Sequence, residues 1–531
     1  MAMFRPEMRA LAWILLLASG LWSHVGAVPA PESVAVLYNS AVPESRQLAE
    51  FYREARGIPA VNLIALDMPT TTDISREVYE TRIAKPLRDE FSRRVWWKRE
   101  VGAGGIIQPV SNRIRVLVTM RGVPLRIQPT PKPPPDPKKP APVTPQDPLA
   151  GHDEASVDSE LAMFGVEGVP TEGVLANKFY QSLKPIDAAG MPFLVLTARI
   201  DAPTYATCER MIRDAVAAEK TGLWGMAYVD IANKYPQGDQ WLETVAKECA
   251  KTGMPTVVDR FNETYPINYP MNDAAVYFGW YDWNVSGPFL NPAFRFRRGA
   301  VAAHLHSFSA EQLTDPSKNW SGALLERGAA VTIGNVYEPY LHLTHDFGIL
   351  MQRLLEGYSW VEACWMAMPA ASWQGVVLGD PLYQPFKHLD GGGTMEEEDR
   401  SFRALRAAAM RWPSETSERH HQLEKAGERT RNGIFPEAVG LEMLQQGMTT
   451  EATVEFRMAR ALYVKTGDKL RQDFHVIAID RTVKSKDRAI QDLHDAQTRY
   501  GPIPETEGLK AWLDILDPPP PPPPAGAPHK P

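Results

Sequence analysis

The sequence predicts an α/β protein with a mostly parallel sheet covered by helices on both faces, followed by an α-helical C-terminal extension. Two observations carry this prediction. Between residues 33 and 386, short apolar runs alternate with stretches that have the 3.6-residue periodicity of amphipathic helices. From 401 to 514, only the helical periodicity remains. Strands that are separated by helices pair in parallel through right-handed crossovers, whereas a run of helices forms its own layer.

Each predicted strand is a short apolar run that ends at a turn signal. The helix between the first two strands stops at Gly57 and Pro59. The predicted strands are 33–38, 62–66, 114–119, 193–197, 223–230, 256–258, 274–278, 300–303, 329–334 and 375–383. The predicted helices are 44–56, 75–91, 156–163, 204–219, 240–251, 320–327, 347–356 and 360–367.

Two of these strands organise the expected functional site. The run 274–278 leads into Gly279 and a polar, aromatic stretch, and the run 300–303 leads into a second polar stretch that begins at His304. In parallel α/β sheets, functional groups gather beyond the carboxyl ends of the strands. We therefore expect the functional residues of this protein in the loops that follow these two strands and the strand 329–334.

Composition and charge narrow the range of partners. The chain has 531 residues, 44% of them apolar and 23% charged, and a net charge of -7, as in soluble globular proteins. It has no lysine- or arginine-rich run, so nucleic acid is not an expected partner. It also has no glycine-rich phosphate loop, and no cofactor is predicted. Cys208, Cys249 and Cys364 do not have the spacing of a disulfide framework or a zinc site, and we expect them to be buried.

The N-terminus has the order of a secretory signal. Arg5 and Arg9 precede the apolar run 11–18, and small residues up to Ala27 form a cleavage site. Residues 1–27 are therefore predicted to be a signal peptide, and the protein to be exported to the periplasm or the extracellular space. An uncleaved anchor is the alternative, but the run is shorter than the roughly 20 residues of a membrane-spanning helix. After cleavage, no membrane association is expected.

Three further segments interrupt or follow the α/β domain predicted for 33–386. Residues 129–148 are dense in proline and lysine, which is typical of a disordered insertion. The helical region 401–514 contains residues that match one tetratricopeptide repeat, although an unrelated helical hairpin is an equal alternative. Those residues are Gly440, Ala452, Phe456 and Ala459. Residues 515–531 contain a proline run and are predicted to be a disordered tail.

Four motifs at strand ends resemble a known family. They are Tyr277-Phe278-Gly279-Trp280-Tyr281, Ala303-His304-Leu305-His306-Ser307, Gly334-Asn335-Val336-Tyr337-Glu338-Pro339-Tyr340 and Val377-Leu378-Gly379-Asp380-Pro381-Leu382-Tyr383. They resemble the final third of gingipain-type cysteine peptidases, which have a caspase-like fold. The last three motifs resemble more closely an uncharacterised family of secreted bacterial proteins distantly related to those peptidases. The resemblance covers about 33–386 and implies a caspase-like domain, but no particular activity.

The departures from the peptidase pattern are as informative as the resemblance. Gingipain-type enzymes place a His-Gly pair after one strand and a cysteine after the next, so that imidazole and thiol share a proton. Here Trp280 and Tyr281 occupy the His-Gly position, and the cysteine position falls at His306 or Ser307. Cys364 lies in an apolar helix, where a thiol is normally inert. The sequence therefore predicts a protein without the cysteine-peptidase dyad.

A hydrolase that uses serine stays open. Ser307 is a candidate nucleophile, and its base would be His342 or His345, because His306 would point away along a regular strand. A serine that caps a turn or the next helix is the simpler interpretation.

A metal-assisted hydrolase is the second alternative. His304 and His306 are two residues apart, so on a strand both rings would face the same side and could share a metal ion. The simpler interpretation is that both histidines hydrogen-bond strand-end backbone or Asp282. Asp282 is thus a further candidate catalytic residue.

Aromatic side chains make ligand binding the favoured function. The predicted binding residues are Trp280, Tyr281, Trp283, Asn335, Tyr337 and Glu338, with Phe289 and Tyr340 in the same aromatic rim. Aromatic rings beside a few polar groups hold peptides and carbohydrates in many proteins. Packing between loops is the structural alternative. We therefore predict a site for a peptide, glycan or protein partner.

Overall fold

The computed structural model describes residues 28–132 and 149–519. The predicted signal peptide lies outside these residues, as do 133–148 of the proline-rich insertion and 520–531 of the tail. Residues 129–132 have no regular secondary structure, and the last helix continues to Leu516, two residues into the segment that was predicted to be tail.

The structure is a mixed α/β fold with mostly parallel strands, and each predicted apolar run overlaps one strand. The strands are β1 (Val34–Asn39), β2 (Leu63–Leu66), β3 (Val116–Met120), β4 (Leu196–Ile200), β5 (Met226–Asp230), β6 (Thr256–Asp259), β7 (Ala274–Gly279), β8 (Val301–His304), β9 (Thr332–Asn335) and β10 (Gly375–Leu378). Shorter strands pair outside these sheets: Trp97–Val101 with Ile107–Asn112, Arg126–Ile127 with both Asp73–Ile74 and Ala155–Ser156, and Leu175–Ala176 with Ala370–Ala371.

The ten main strands form two hydrogen-bonded sheets, whereas the sequence predicted one. One sheet has the order β9-β10-β4-β3-β1-β2, and the other has the order β6-β5-β7-β8. All pairs are parallel except β9 with β10. The strand β10 ends at Leu378 because Gly379 adopts a positive φ and the Asp380 carboxylate accepts a hydrogen bond from the Leu382 N–H, which closes a turn.

The two sheets meet at a short seam between β8 and β9. Val301 pairs in parallel with Val331, and the Ala330 N–H donates to the Ala300 carbonyl at 2.9 Å. Beyond this point, the backbone of β9 makes hydrogen bonds to the loop after β8 and not to β8. The Asn335 carbonyl accepts from the Ala310 N–H at 2.9 Å. This competing partner is why the single predicted sheet is divided in two.

Helices cover both faces of the six-stranded sheet. In β1, Val34 and Val36 pack into the core that contains the helix α1, while Ala35 and Leu37 pack into a second core with the helical segment 76–93. The helices of this domain are α1 (Pro43–Arg56), α2 (Arg76–Tyr79), α3 (Lys85–Arg93), α4 (Val157–Leu161), α5 (Tyr205–Thr221), α6 (Pro236–Lys251), α7 (Ser321–Glu326), α8 (Phe347–Leu355) and α9 (Trp360–Ala367). A π-helical turn, Glu80–Ala84, joins α2 to α3.

A buried ion pair explains why β4 lies three residues later than the predicted strand 193–197. Arg199 is fully buried in β4, and its Nε donates to the Asp158 carboxylate at 2.8 Å. Its two terminal nitrogens donate to the carbonyls of Val123 and Pro124, each at 2.8 Å. The guanidinium is therefore satisfied inside the core, and a charged residue can occupy a central strand.

The C-terminal extension is helical, as the sequence predicts. Its helices are α10 (Arg400–Arg411), α11 (Thr416–Thr430), α12 (Ile434–Gln445), α13 (Thr449–Leu462), α14 (Thr466–Ile479), α15 (Lys486–Tyr500) and α16 (Thr506–Leu516). Gly440 of α12 lies directly against the Phe456 ring of α13, so these two helices approach closely. The assignment of this hairpin to a tetratricopeptide repeat stays a prediction.

The helical extension is bound to the α/β domain through buried contacts. Arg471 donates both Nε and Nη2 to the Glu437 carboxylate at 2.7 Å, and its Nη1 reaches the Pro270 carbonyl at 3.5 Å. The ring of Phe474 packs on Tyr269 with centroids 5.0 Å apart. One hydrophobic cluster extends from β1 to α16, so the two regions share a core.

Among residues 28–132 and 149–519, no helix combines the length and the apolar composition that crossing a membrane requires.

We expect Arg199→Met to lower the free energy of unfolding by about 3–5 kcal/mol, because it leaves the Asp158 carboxylate buried without its cation. Urea denaturation measures this loss. The control is Arg213→Met, which removes an exposed ion pair with Glu209 and should cost less than about 1 kcal/mol. Equal losses in the two variants would contradict the structural role of Arg199.

Candidate functional site

A cavity of about 370 Å³ opens at the carboxyl ends of the strands around the seam. Its volume lies within the range of small-molecule sites, about 300–1,000 Å³. The residues that line it are Tyr235, Trp280, Tyr281, Leu305, His306, Ser307, Asn335, Glu338, Pro339, Tyr340, Leu341 and Thr344. We call it the strand-end cavity.

Four strands deliver these residues to one place. Tyr235 follows β5, Trp280 follows β7, His306 follows β8, and Asn335 is the last residue of β9. The strands β5, β7 and β8 are parallel neighbours, and β9 runs parallel to β8 at the seam. Their carboxyl ends therefore share one edge, as the strand-end rule for α/β sheets requires.

Trp280 forms a rigid wall of the cavity. Only 1% of its surface is exposed, and its Nε1 donates to the Asp239 carboxylate at 3.0 Å. The ring packs on Gly238 of α6, where an added Cβ would lie 2.2 Å from the ring. Only a glycine leaves room for the indole at this position.

The other rings form a continuous row along the mouth of the cavity. Successive centroids are 6.2 Å apart from Tyr235 to Tyr281, 4.9 Å from Tyr281 to His306, 4.9 Å from His306 to Trp283 and 5.5 Å from Trp283 to Phe308. We call these five residues the aromatic row. Trp283 does not line the cavity itself, but it is 56% exposed and presents its ring to solvent beside it.

His306 is an uncharged member of the aromatic row. Burial lowers its pKa, although a hydrogen bond to the Ser307 carbonyl and the charges of Glu338 and Asp282 oppose that shift. Its Nδ1 bonds the Ser307 carbonyl and so carries the proton. In the neutral ring, Nε2 is therefore a hydrogen-bond acceptor.

His304 lies in a different environment from His306. Its ring stacks on Trp320 with centroids 3.4 Å apart, and its Nδ1 bonds the Tyr277 hydroxyl at 2.9 Å. Burial, reinforced by His306, holds its pKa well below the ordinary value. His304 is absent from the cavity wall because β8 ends at this residue, and the alternation that would align the two rings ends with it.

The candidate metal ligands do not form a cluster. Within the two described ranges, no group of three or more His, Cys, Asp or Glu side chains is arranged to hold a metal ion. His304 and His306 face different surroundings, and the Asp282 carboxylate accepts from the Thr264 hydroxyl at 2.9 Å. The geometry therefore gives no support to a metal shared by the two histidines.

Ser307 lines the cavity, but the two histidines predicted as its base, His342 and His345, do not. The Ser307 hydroxyl makes no hydrogen bond to any residue of 28–132 or 149–519. Both ring nitrogens of His345 are buried without a partner in the described chain, and burial lowers its pKa to about 3. The histidines that were predicted as bases are therefore not in the arrangement that acyl transfer needs.

The remaining predicted binding residues divide into two groups. Asn335 and Glu338 line the cavity; the Asn335 amide exchanges hydrogen bonds with Thr344, and one Glu338 oxygen accepts from the Tyr340 N–H. Tyr337 lies outside the wall, where its hydroxyl donates to the Ile127 carbonyl at 3.2 Å.

The thiols lie apart from this site. All three cysteines are buried, and burial raises the pKa of Cys364 well above its usual value. A buried thiol with a raised pKa is a poor nucleophile. No cysteine lines the strand-end cavity.

Two acids at the ends of the neighbouring strands β5 and β6 form a buried pair. Asp230 of β5 lies opposite Asp259 of β6 in the parallel register. Burial raises the pKa of Asp259 to about 7, and burial together with Asp259 raises the pKa of Asp230. One oxygen of Asp230 has no partner within the described residues. This pair was not predicted from the sequence.

Comparisons with known proteins add little to this geometry. No protein-family model matches the sequence, and no curated protein is similar to it. A solved structure described as "Structure of Protease" resembles the chain at 10% identity with a TM-score of 0.35. The match covers 68% of this chain and 80% of the other. A similarity of that size carries no argument about activity, so the function must be inferred from the site.

Sequence reasoning missed several residues of the cavity wall. Leu305, Pro339, Leu341 and Thr344 lie on the same loops as the predicted residues, but their side chains carry no chemical signal. Tyr235 follows β5 by five residues and would have been found by applying the strand-end rule to every predicted strand.

We expect Gly238→Ala to displace the Trp280 ring, because the new methyl would overlap it, and to cost about 1–3 kcal/mol of stability. Fluorine NMR of protein labelled with 5-fluorotryptophan would report the displacement, with the Trp280 signal assigned from Trp280→Phe. In the control Gly102→Ala, the atom nearest to the added Cβ is 3.6 Å away, so the spectrum should not change. An unshifted Trp280 signal in Gly238→Ala would refute this packing.

The carboxyl pair predicts a pH-dependent stability. Folding raises the pKa of Asp259 from 3.8 to about 7, so its favourable contribution is complete below about pH 4 and is lost as the pH rises through 7. Asp259→Asn removes the group that ionises. We expect the free energy of unfolding of the variant, relative to that of the wild type, to increase by more than about 1 kcal/mol from about pH 5 to about pH 8.5.

Urea denaturation at the two pH values measures this gain. The control Asp89→Asn removes an exposed carboxylate paired with Lys85 and should show no comparable change. If the difference between Asp259→Asn and the wild type is the same at both pH values, Asp259 titrates normally in the folded protein.

Proposed function

We propose that the strand-end cavity binds a ligand and that the protein is exported to the periplasm or the extracellular space. The ligand is a peptide, a glycan or a protein partner. The observation that carries the proposal is the convergence of four strand ends on a cavity with an aromatic row at its mouth and hydrogen-bonding side chains in its wall. Aromatic faces with a few polar groups are the usual composition of a binding site.

The caspase-like assignment of the α/β domain belongs to the same proposal. Motif resemblance over 33–386 supports it, as do the mostly parallel strands and the position of the cavity at their carboxyl ends. Within this assignment, Trp280 and Tyr281 occupy the place of the His-Gly pair, and His306 or Ser307 the place of the cysteine. The proposal is therefore a binding protein on a peptidase-like scaffold, without a thiol nucleophile.

A serine hydrolase is the second candidate, because Ser307 and His306 are adjacent in the cavity wall. The neutral His306 ring has the protonation state of a general base. Its Nδ1 is bonded to the Ser307 carbonyl and not to a carboxylate, however, so no acid orients it as in a catalytic triad. A fluorophosphonate probe separates the candidates: Ser307-dependent labelling would establish the hydrolase and overturn the binding proposal.

The proposal predicts ligand-induced stabilisation that depends on the cavity. We would screen the purified chain by thermal shift against neutral, acidic and basic hexapeptides and neutral and acidic oligosaccharides, with and without divalent cations. At least one compound should raise the melting temperature, because a ligand that binds only the folded state stabilises it.

The matched variants are Tyr281→Ala, which removes a ring from the cavity wall, and Leu183→Ala, which removes an exposed apolar side chain elsewhere. The shift should disappear in the first variant and persist in the second. A shift that survives Tyr281→Ala would refute the proposal, and a panel without any stabilising compound would exclude the peptide and glycan ligands.

A further inference from the structure

We infer that the strand-end cavity binds the free amino terminus of a peptide, an inference that rests on the binding function proposed above. Three properties of the described residues point to this ligand. The wall is acidic, backbone N–H groups of the wall have no acceptor, and the cavity is small and closed on one side by a corner of aromatic rings.

The wall of the cavity carries a negative charge. Of the wall residues in the described chain, only Glu338 is charged at neutral pH, because the lowered pKa of His306 keeps its imidazole neutral. One Glu338 oxygen accepts from the Tyr340 N–H, and the other has no partner among residues 28–132 and 149–519. This oxygen is available to a hydrogen-bond donor of the ligand, and a cationic donor makes the strongest bond to it.

The charges beside the wall have the same sign on balance. Two further carboxylates lie there, those of Asp282 and Asp239. The cation nearby is Lys234, whose ammonium lies 5.3 Å from the centroid of the Tyr281 ring, so this ring already accepts an ammonium of the chain itself. With Glu338, three carboxylates stand against one ammonium. An amino terminus is therefore attracted to the cavity, and a carboxyl terminus is repelled.

Backbone donors of the wall suit the carbonyl groups of a peptide. The N–H groups of Tyr281, His306 and Ser307 make no hydrogen bond to any residue of 28–132 or 149–519, and all three residues line the cavity. Peptide carbonyls accept from such groups, whereas a simple amine has no acceptor to offer. The donors therefore favour a peptide terminus over a small free amine.

The shape of the site favours a chain end over a continuous chain. The volume of about 370 Å³ is that of a small-molecule site. The Ala310 N–H donates to the Asn335 carbonyl and the Phe308 N–H to the Tyr337 carbonyl, each at 2.9 Å, so the loop after β8 already occupies this edge of β9. A peptide that ran past as an added strand would need an open edge, but a terminus that enters the cavity does not.

A corner of three rings suits the first side chain of the peptide. Tyr235, Trp280 and Tyr281 contact one another with centroids 5.9 to 6.2 Å apart and interplanar angles of 61° to 85°. Rings at such steep angles form a concave corner and not a flat platform. An apolar side chain packs into a corner of this kind, so we expect the terminal residue to be apolar.

The test compares peptides that differ only in the charge of the amino terminus. Neutral hexapeptides that begin with leucine or phenylalanine are made with a free and with an acetylated amino terminus, each with an amidated carboxyl terminus. Isothermal titration calorimetry of the full chain should show a free form that binds about tenfold or more tightly than its acetylated form, because acetylation removes the charge-assisted hydrogen bond.

Two further compounds show which part of the peptide is recognised. Hexylamine has the ammonium but no carbonyl, and an acetylated hexapeptide with an internal lysine has its ammonium on a side chain. Each should bind about tenfold or more weakly than the free neutral hexapeptide.

Variants locate the ammonium at Glu338. Glu338→Gln keeps the size of the side chain and removes its charge. In this variant the free hexapeptide should bind about tenfold more weakly, and the free and acetylated forms should differ by less than about threefold. The control Glu100→Gln changes an exposed glutamate of the short strand Trp97–Val101 and should bind as the wild type does.

The outcomes distinguish this inference from the proposed function. Equal binding of the free and acetylated forms, of hexylamine or of the acetylated lysine peptide overturns the inference, as does full binding by Glu338→Gln or the absence of binding by every hexapeptide. If an oligosaccharide binds in a Tyr281-dependent manner and no hexapeptide does, the inference fails and the cavity function stands. Peptide binding that survives Tyr281→Ala contradicts both.

Discussion

The seam between β8 and β9 is the constraint on which the candidate site depends. The strand-end cavity takes Trp280 and His306 from the four-stranded sheet and Asn335 from the six-stranded sheet. Few hydrogen bonds join the strands β8 and β9 directly at the seam. The loop after β8 makes further hydrogen bonds to β9. Close packing reinforces the seam: a Cβ at Gly334 would lie 2.4 Å from the Ser321 hydroxyl. The geometry of the cavity is thus set by backbone contacts.

The residues of the site differ in role because they differ in their surroundings. Trp280 is held by its hydrogen bond to Asp239, and His304 by its hydrogen bond to Tyr277 and its stacking on Trp320, so both act as structural supports. The Nε2 of His304 is buried without a hydrogen-bond partner among residues 28–132 and 149–519. Tyr281 and His306 line the cavity, and within residues 28–132 and 149–519 neither the Tyr281 hydroxyl nor the His306 Nε2 has a hydrogen-bond partner. A site built in this way can discriminate between ligands by shape and hydrogen bonding while the supporting rings stay in place.

Sequence reasoning located the strands and the mouth of the site, because apolar runs and strand ends are local signals that survive in any parallel α/β protein. It could not locate what tertiary contacts decide. The ring of His304 turns away because Trp320, 16 residues later, offers a stacking surface. Arg199 enters a strand because Asp158, on a separate helix, neutralises it. The split into two sheets depends on a loop that competes for β9, and the pairing of Asp230 with Asp259 depends on the register of β5 and β6.

The contact between the helical extension and the α/β domain has a consequence for how the chain loses its structure. The guanidinium of Arg471 is enclosed by Glu437 on its own side and by the Pro270 carbonyl on the other, and Phe474 is inserted against Tyr269. Separating the two regions would hydrate this cluster and expose a shared apolar interior. The extension is therefore an integral part of one cooperative melting unit, and partial proteolysis should not release it as a detachable module.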